Sequence, residues 1–86
     1  MEVTFLYFSW IRETVGKKSE VITIPSSINT LVQLIEWQKD RGENYRLAFE
    51  NKNKEIRIAV DHKYVKTTST LNKPKEIAFF PPVTGG

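Results

Sequence analysis

The chain has 86 residues, of which 40% are hydrophobic and 27% charged, and this suits one domain with a single core. It has no cysteine, which excludes disulfide and thiol chemistry on this chain, and no apolar run approaches the roughly 20 residues of a membrane span. The formal net charge is +3, but the lysines are scattered rather than clustered. We therefore expect no nucleic-acid partner, no membrane partner and a cytoplasmic location.

The first part of the chain predicts two strands. Residues 3–8 are β-branched and aromatic and are apolar at both alternating sets of positions, as is typical of a central strand. Residues 9–16 are expected to form a connection that turns at Gly16. Residues 20–24 alternate as a second strand, which ends before Pro25. The short connection favours antiparallel pairing of these two strands.

The middle of the chain predicts one main helix. Ser27 is the expected N-cap and Gly42 the expected C-terminal stop. Residues 45–49 are ambiguous, with room for one helical turn before a polar loop. Apolar side chains recur at helical spacing and predict one buried face, formed by Ile28, Leu31, Val32 and Ile35 with Leu34 beside it.

The last part of the chain predicts three strands, at residues 56–60, 63–65 and 76–80, with a turn at Asp61 and His62 between the first two. Strand, strand, helix and further strands in this order predict an α+β fold, the β-grasp (ubiquitin-like) roll. In this roll a mixed sheet packs on one main helix, and the first and last strands lie parallel at the centre of the sheet. We expect residues 1–80 to form this domain and residues 81–86 to form an extended, flexible C-terminal tail.

The ending FFPPVTGG, at residues 79–86, is the most informative stretch. Pro81 and Pro82 fix φ and favour extended backbone, while Gly85 and Gly86 lack a Cβ and fit a narrow channel. Six residues of extended chain reach ~20 Å. The tail can therefore present the α-carboxylate of Gly86 inside the active site of another protein.

Strand parity predicts an exposed aromatic surface. Tyr64 and Phe80 should point away from the helix-covered side of the sheet, and Phe8 should lie near Phe80 because the first and last strands are neighbours. A monomer has little reason to expose three aromatic side chains, so we interpret them as a partner-binding surface. The alternative is that one or more of these rings closes the end of the roll.

Other chemistry is not indicated by the sequence. A phosphate loop ending at Gly16 and Lys17 would need glycine at position 11 and serine or threonine at position 18, where the chain has Ile11 and Lys18. His62 has no second histidine and no cysteine with which to hold a metal ion. We therefore expect no metal or cofactor on this chain. We interpret it as a carrier whose terminal carboxylate is activated by a partner.

On these residues the chain resembles a known family. The ending at residues 79–86, Arg12-Glu13 before Gly16, the Pro-Ser-Ser run at residues 25–27 and Ala59-Val60 before a turn are similar to the small subunits of molybdopterin synthase. These are the ubiquitin-like sulfur carriers of molybdenum cofactor biosynthesis. The ending is highly specific and the other features are supportive. The chain departs from the family in two turns, at residues 61–62 and 72–75.

The resemblance implies a function for the tail. Gly86 would be adenylated by an ATP-dependent activating enzyme and converted to a thiocarboxylate. The tail would then enter the large subunit and donate sulfur to cyclic pyranopterin monophosphate, forming the molybdopterin dithiolene. The chain would be a sulfur-donor subunit of a heterotetramer, with the catalytic residues in the large subunit and ATP used by the activating partner. The implied site comprises Gly86 and Gly85 for the reaction, and Phe8, Tyr64, Phe80, Pro81, Pro82, Val83 and Thr84 for partner binding.

Two alternatives stay open at this point. A thiamine-pathway sulfur carrier shares the roll and the terminal Gly-Gly, although those chains lack the Phe-Phe-Pro-Pro run. A non-covalent β-grasp binding module would share only the fold, and its Gly-Gly would be incidental.

Overall fold

The computed structural model describes residues 1–82, which form a five-stranded mixed sheet and three helices. The strands run β1 (Glu2–Tyr7), β2 (Ser19–Thr23), β3 (Arg57–Val60), β4 (Lys63–Val65) and β5 (Glu76–Phe80). The helices are α1 (Ser9–Val15), α2 (Leu31–Lys39) and α3 (Glu43–Phe49). Within residues 1–82, no helix has the length and apolarity needed to cross a membrane.

The sheet has the predicted β-grasp topology, with strand order β2-β1-β5-β3-β4. β1 pairs antiparallel with β2 and parallel with β5, so the first and last strands lie side by side in the middle of the sheet. Both predicted pairings are thus confirmed. A parallel pair needs a long crossover connection, and the helices between β1 and β5 belong to it.

The helices cover one face of the sheet and enclose a single core. Phe79 lies at its centre: its ring stacks on Tyr7 with the centroids 5.6 Å apart and meets Phe5 and Phe49 edge-on at 5.4 and 5.1 Å. Such edge-to-face and offset contacts add to the free energy of burial of the rings. β1 and β5 supply alternate residues to this core, since side chains along a strand point to opposite faces.

The connection expected at residues 9–16 is instead the seven-residue helix α1, so this prediction was wrong. The strand also ends at Tyr7, and Phe8 is the N-cap residue of the helix. Ile11 and Val15, four positions apart, are its buried residues, and Gly16 ends it at φ +85°. The turn predicted at Gly16 is therefore present, and it is the C-cap of a helix rather than part of a connection. Two apolar residues give too weak a periodic signal to predict a helix without knowledge of the core they join.

The expected ends of the main helix were also wrong. α2 begins at Leu31, and Thr30, not Ser27, is its N-cap: the Thr30 hydroxyl accepts from the Gln33 N–H, while the Gln33 side chain accepts from the Thr30 N–H. This reciprocal pair is a capping box. The preceding backbone is held by a distant segment, since the Asn29 carbonyl accepts from the N–H of Leu71 at 2.7 Å.

The predicted buried face and stop of this helix need two further corrections. Val32 is exposed, whereas Leu31 and Leu34 are fully buried and Ile28 is buried just before the helix. Gly42 does not end α2, which stops at Lys39; it is instead the residue before α3. The buried face of α2 is formed by Leu31, Leu34 and Gln38, and Val32 lies off this face.

A polar network closes one end of the core around Glu20. Its carboxylate accepts hydrogen bonds from both Arg41 Nη atoms at 2.8 and 2.9 Å, from the Tyr7 hydroxyl at 2.6 Å and from the Tyr45 hydroxyl at 2.9 Å. Gln38, which is fully buried, donates to the Tyr7 hydroxyl and accepts from Arg41. The carboxylate of Glu20 on β2 therefore connects β1, α3 and Arg41, which follows α2.

The network holds Glu20 in its charged form. Burial on its own would raise the pKa of Glu20, but the hydrogen bonds from Arg41, Tyr7 and Tyr45 outweigh burial and lower this pKa from its usual 4.5 to about 2. Burial, together with the hydrogen bond to Glu20, raises the pKa of the Tyr7 hydroxyl, which stays protonated as a donor. A carboxyl group with a depressed folded-state pKa stabilises the fold above its unfolded pKa and loses that contribution as the pH falls through its folded pKa.

We expect Glu20→Gln to destabilise the protein at pH 7 by about 3 kcal/mol, because it leaves Arg41 without its anion. The penalty should shrink between pH 4.5 and pH 2, the interval in which the wild-type network itself is lost. Urea unfolding at a series of pH values measures this.

Glu36→Gln is the matched control, because Glu36 forms only an exposed pair with Lys39 and should contribute less than about 1 kcal/mol. A constant difference between wild type and Glu20→Gln from pH 7 to pH 2 would contradict the assignment.

Candidate functional site

The face of the sheet opposite the helices carries the candidate site. The register sets Leu6 beside Ala78, Ala78 beside Ala59 and Ala59 beside Tyr64, and all four side chains lie on this open face. The helix-facing partners of the same strands, such as Ile58 and Phe79, are buried. Because the two central positions are alanines, the middle of the open face is a shallow apolar floor.

Aromatic side chains stand around this floor. The aromatic patch, defined here as Phe8, Tyr64 and Phe80, has Phe8 44% exposed and Tyr64 79% exposed. The Tyr64 and Phe80 rings contact each other, with centroids 5.5 Å apart. Phe80 is half-buried, and the two exposed rings on an apolar floor are typical of a protein-binding surface rather than of a core.

A depression of about 640 Å³ lies on the patch, and the C-terminal segment forms part of its wall. The lining residues are Phe8, Ala59, His62, Tyr64, Ala78, Phe80, Pro81 and Pro82. The structure thus brings together five of the residues predicted to bind a partner: Phe8, Tyr64, Phe80, Pro81 and Pro82. The other predicted site residues, Val83, Thr84, Gly85 and Gly86, lie outside the described residues.

A second depression, of about 300 Å³, adjoins the first. Tyr64, Phe80 and Pro82 line both depressions, and Arg57 adds a guanidinium to the second. We call this second depression the tail-exit depression, because Pro82 is the last described residue of the chain. Its aliphatic wall is formed by Ile58 and Val65.

The turn between β3 and β4 borders the patch and fixes the start of β5. Asp61 and His62 both have positive φ, +49° and +71°, the conformation of tight hairpin turns that suit the twist of a sheet. The Asp61 carboxylate accepts from the N–H groups of Lys75 and Glu76, each at 3.0 Å. His62 Nε2 lies 3.6 Å from Glu76 Oε2. Asp61 is therefore a clamp on β5, and His62 is part of the rim of the patch.

Sequence reasoning missed several of these residues. It gave residues 61–62 no structural role beyond the turn and did not place Arg57, Ala59 or Ala78 in the site. Strand parity could have found the two alanines, since they alternate with buried neighbours on the same strands. It could not have found the Asp61 clamp, because Lys75 and Glu76 lie 14 and 15 residues away in sequence.

The described part of the site is a surface suited to binding. Among residues 1–82, no group of three histidine, cysteine or acidic side chains is placed to hold a metal ion. The carboxyl group with the strongly lowered pKa, that of Glu20, faces Phe5 across the β1–β2 register on the helix side of the sheet and is remote from the patch. The open face can therefore position a partner beside Pro81 and Pro82.

Comparisons with known proteins agree on one family. The profile of the ThiS family matches residues 5–86. Two curated relatives are both named molybdopterin synthase sulfur carrier subunit. The Haemophilus influenzae protein is 33% identical over 94% of this chain and 95% of its own length. The Escherichia coli protein is 35% identical over 98% of this chain and 99% of its own length. Their names favour the molybdopterin interpretation over the thiamine-pathway alternative.

The fold is shared with a solved structure from Pyrococcus furiosus, described as molybdopterin converting factor, subunit 1. It superposes with a TM-score of 0.68 over 96% of this chain and 99% of that chain, at 23% identity. At this identity the likeness supports the β-grasp fold itself.

Substitution by alanine should show which aromatic residues belong to the core and which belong to the patch. We expect Phe79→Ala to cost about 3–5 kcal/mol, as large-to-small changes at fully buried rings do. Tyr64→Ala should change stability by no more than ~0.5 kcal/mol, because its side chain is mostly in solvent. Phe80→Ala should fall between them. Equilibrium unfolding in urea measures all three, and a cost for Tyr64→Ala equal to that of Phe79→Ala would place Tyr64 in the core.

Proposed function

This chain belongs to the ThiS family, and from that premise we propose that it is the sulfur-carrier subunit of a molybdopterin synthase. The observation that carries the proposal is the continuity of the aromatic patch with Pro81 and Pro82, from which the sequence leads to Gly85 and Gly86. A partner bound on the patch would receive the end of the chain. The near full-length identity to two sulfur carrier subunits supports the same function.

The chemistry follows from the properties of a carboxylate. The Gly86 carboxylate is a poor electrophile, because its charge is delocalised and its oxygen is a poor leaving group. An activating enzyme would use ATP to form the acyl adenylate and release pyrophosphate. A sulfide-level donor would then displace AMP and leave a thiocarboxylate.

The thiocarboxylate would deliver its sulfur inside the large subunit. Sulfur would pass to cyclic pyranopterin monophosphate as part of the new dithiolene, and water would return the Gly86 carboxylate. Gly85 and Gly86, without a Cβ, suit a narrow channel, and Val83 and Thr84 would contact its entrance. This chain would hold and orient the reactive end, while the groups that activate the pterin substrate would belong to the large subunit.

The patch would dock the large subunit. Phe8, Tyr64 and Phe80 offer aromatic anchors around an apolar floor, the composition typical of residues that dominate binding energy. Pro81 and Pro82 would limit the conformations of the free tail, so less entropy would be lost when it enters the partner. Docking and delivery would therefore use adjacent parts of one surface.

The first test concerns the end of the chain. Incubated with the activating enzyme, ATP and a sulfide donor, the wild-type chain should gain about 16 Da as one oxygen is replaced by sulfur. A chain lacking Gly86, and one extended by a serine after Gly86, should gain nothing and support no synthase turnover, while melting like the wild type. Full turnover by the extended chain without proteolytic trimming would contradict the proposal.

The second test concerns the patch. Phe80→Ala should weaken binding to the large subunit by ~2 kcal/mol or more, which raises Kd about 30-fold. Leu47→Ala is the matched control, because Leu47 is an exposed apolar residue on α3, which packs on the other face of the sheet. Calorimetric titration of both variants decides the matter. If Phe80→Ala lowered stability but left Kd unchanged, Phe80 would be part of the core rather than of the interface.

A further inference from the structure

Arg57 occupies a distinctive place at the edge of the candidate site. It lies directly opposite Phe80 in the β3–β5 register, on the open face of the sheet. Together with Tyr64 and Pro82 it lines the tail-exit depression. The Arg57 cation thus lies in the same depression as two aromatic rings and Pro82.

The charge of Arg57 is poorly compensated within residues 1–82. Its described ion pair is with Glu55, and the Nη2–Oε2 distance is 3.5 Å. The two side chains are 57% and 62% exposed, so this pair contributes little free energy and competes weakly with another anion. The guanidinium is therefore available to a partner.

A second cation lies beside the first. Lys66 directly follows Val65, the last residue of β4, and Val65 pairs with Ile58, the neighbour of Arg57 in β3. Both residues line a further depression of about 370 Å³ at this edge of the sheet. Among the salt bridges of residues 1–82, none includes Lys66. Two cations that line one depression repel each other, and a bound anion would relieve the repulsion.

The surroundings of Arg57 select the kind of anion. A guanidinium is planar and binds a carboxylate through two parallel hydrogen bonds. The apolar wall formed by Ile58, Val65 and Phe80 would exclude water from such a pair and strengthen it. Tyr64 and Phe80 also line the depression on the aromatic patch. A protein bound on the patch can therefore contact Arg57 directly.

We propose that Arg57, supported by Lys66, is a specificity-determining residue that receives an aspartate or glutamate side chain of the large subunit when that subunit docks on the aromatic patch. This inference rests on the proposed function and adds to it a charged contact at the tail exit. The aromatic patch supplies apolar contact area, while Arg57 selects a partner that carries a carboxylate at the matching position. A partner with a cation there is repelled.

Three variants of Arg57 test the proposal, each titrated calorimetrically against the large subunit. Arg57→Glu should weaken binding about 30-fold or more, because it replaces attraction by repulsion. Arg57→Leu keeps an apolar side chain against the wall and should lose about tenfold. Arg57→Lys keeps the charge but not the two-pronged geometry and should fall between Arg57→Leu and the wild type. Binding of Arg57→Leu should also depend less on salt than wild-type binding does.

Arg46→Glu is the matched control, since it makes the same charge change at an exposed position on α3, on the far side of the sheet. It should bind within twofold of the wild type. A carboxylate-to-arginine change in the large subunit that restores binding of Arg57→Glu would identify the contacting residue. All variants alter exposed side chains and should melt like the wild type, which thermal unfolding checks.

The failures of the two proposals are distinguishable. If the wild-type chain binds the large subunit but Arg57→Glu and Arg57→Leu bind equally well, the carboxylate contact is wrong and the proposed function stands. If the wild-type chain neither binds the large subunit nor acquires sulfur, the proposed function fails and this inference fails with it.

Discussion

The parallel pairing of β1 with β5 is the constraint on which the rest of the molecule depends. It places Tyr7 beside Phe79, and the Phe8 N–H extends the pairing by donating to the Phe79 carbonyl at 3.1 Å. Because parallel strands end at the same edge of a sheet, Phe8 and Phe80 line one depression there. An antiparallel pairing of the same strands would place them at opposite ends. The exit of the chain therefore lies beside the aromatic patch as a consequence of topology.

The same pairing connects the core with the open face. Neighbouring residues of a strand point to opposite sides, so burial of Phe79 among Phe5, Tyr7 and Phe49 fixes the side to which Phe80 points. The Tyr7 hydroxyl, which accepts a hydrogen bond from Gln38 of α2, ties this end of the core to the helices. A rigid packed side thus orients a surface that has no partner of its own within residues 1–82, and this suits a domain that is recognised by other proteins.

The described domain separates recognition from chemistry. The polar network around Glu20 is structural: it is partly buried, its carboxylate is held by Arg41 and Tyr45, and it lies on the helix side of the sheet. The open face has apolar and aromatic groups with a cation at its edge, where Arg57 stands beside Phe80. Under the proposed function, reactivity resides in one terminal carboxylate. The domain then contributes affinity, direction and choice of partner.

The sequence by itself determined the strands with clear alternation, their order, the β-grasp topology and the opposite directions of Tyr64 and Val65. These features follow from local periodicity and from the need to bury one face of a sheet, and both can be read without knowing which distant residues meet. The nature of the FFPPVTGG ending was equally local, because restricted φ at proline and the missing Cβ of glycine are properties of single residues.

Tertiary structure decided what depends on distant partners. Ser27 was the expected N-cap, but the N-cap is Thr30, because the backbone around it pairs with residues 69–71. α1 exists because Ile11 and Val15 find a core supplied by other elements. The pKa of Glu20 and the position of Arg57 beside Phe80 and Lys66 likewise arise from residues brought together across the chain. A local pattern carries no information about such contacts, since their free energy appears only when the chain has folded.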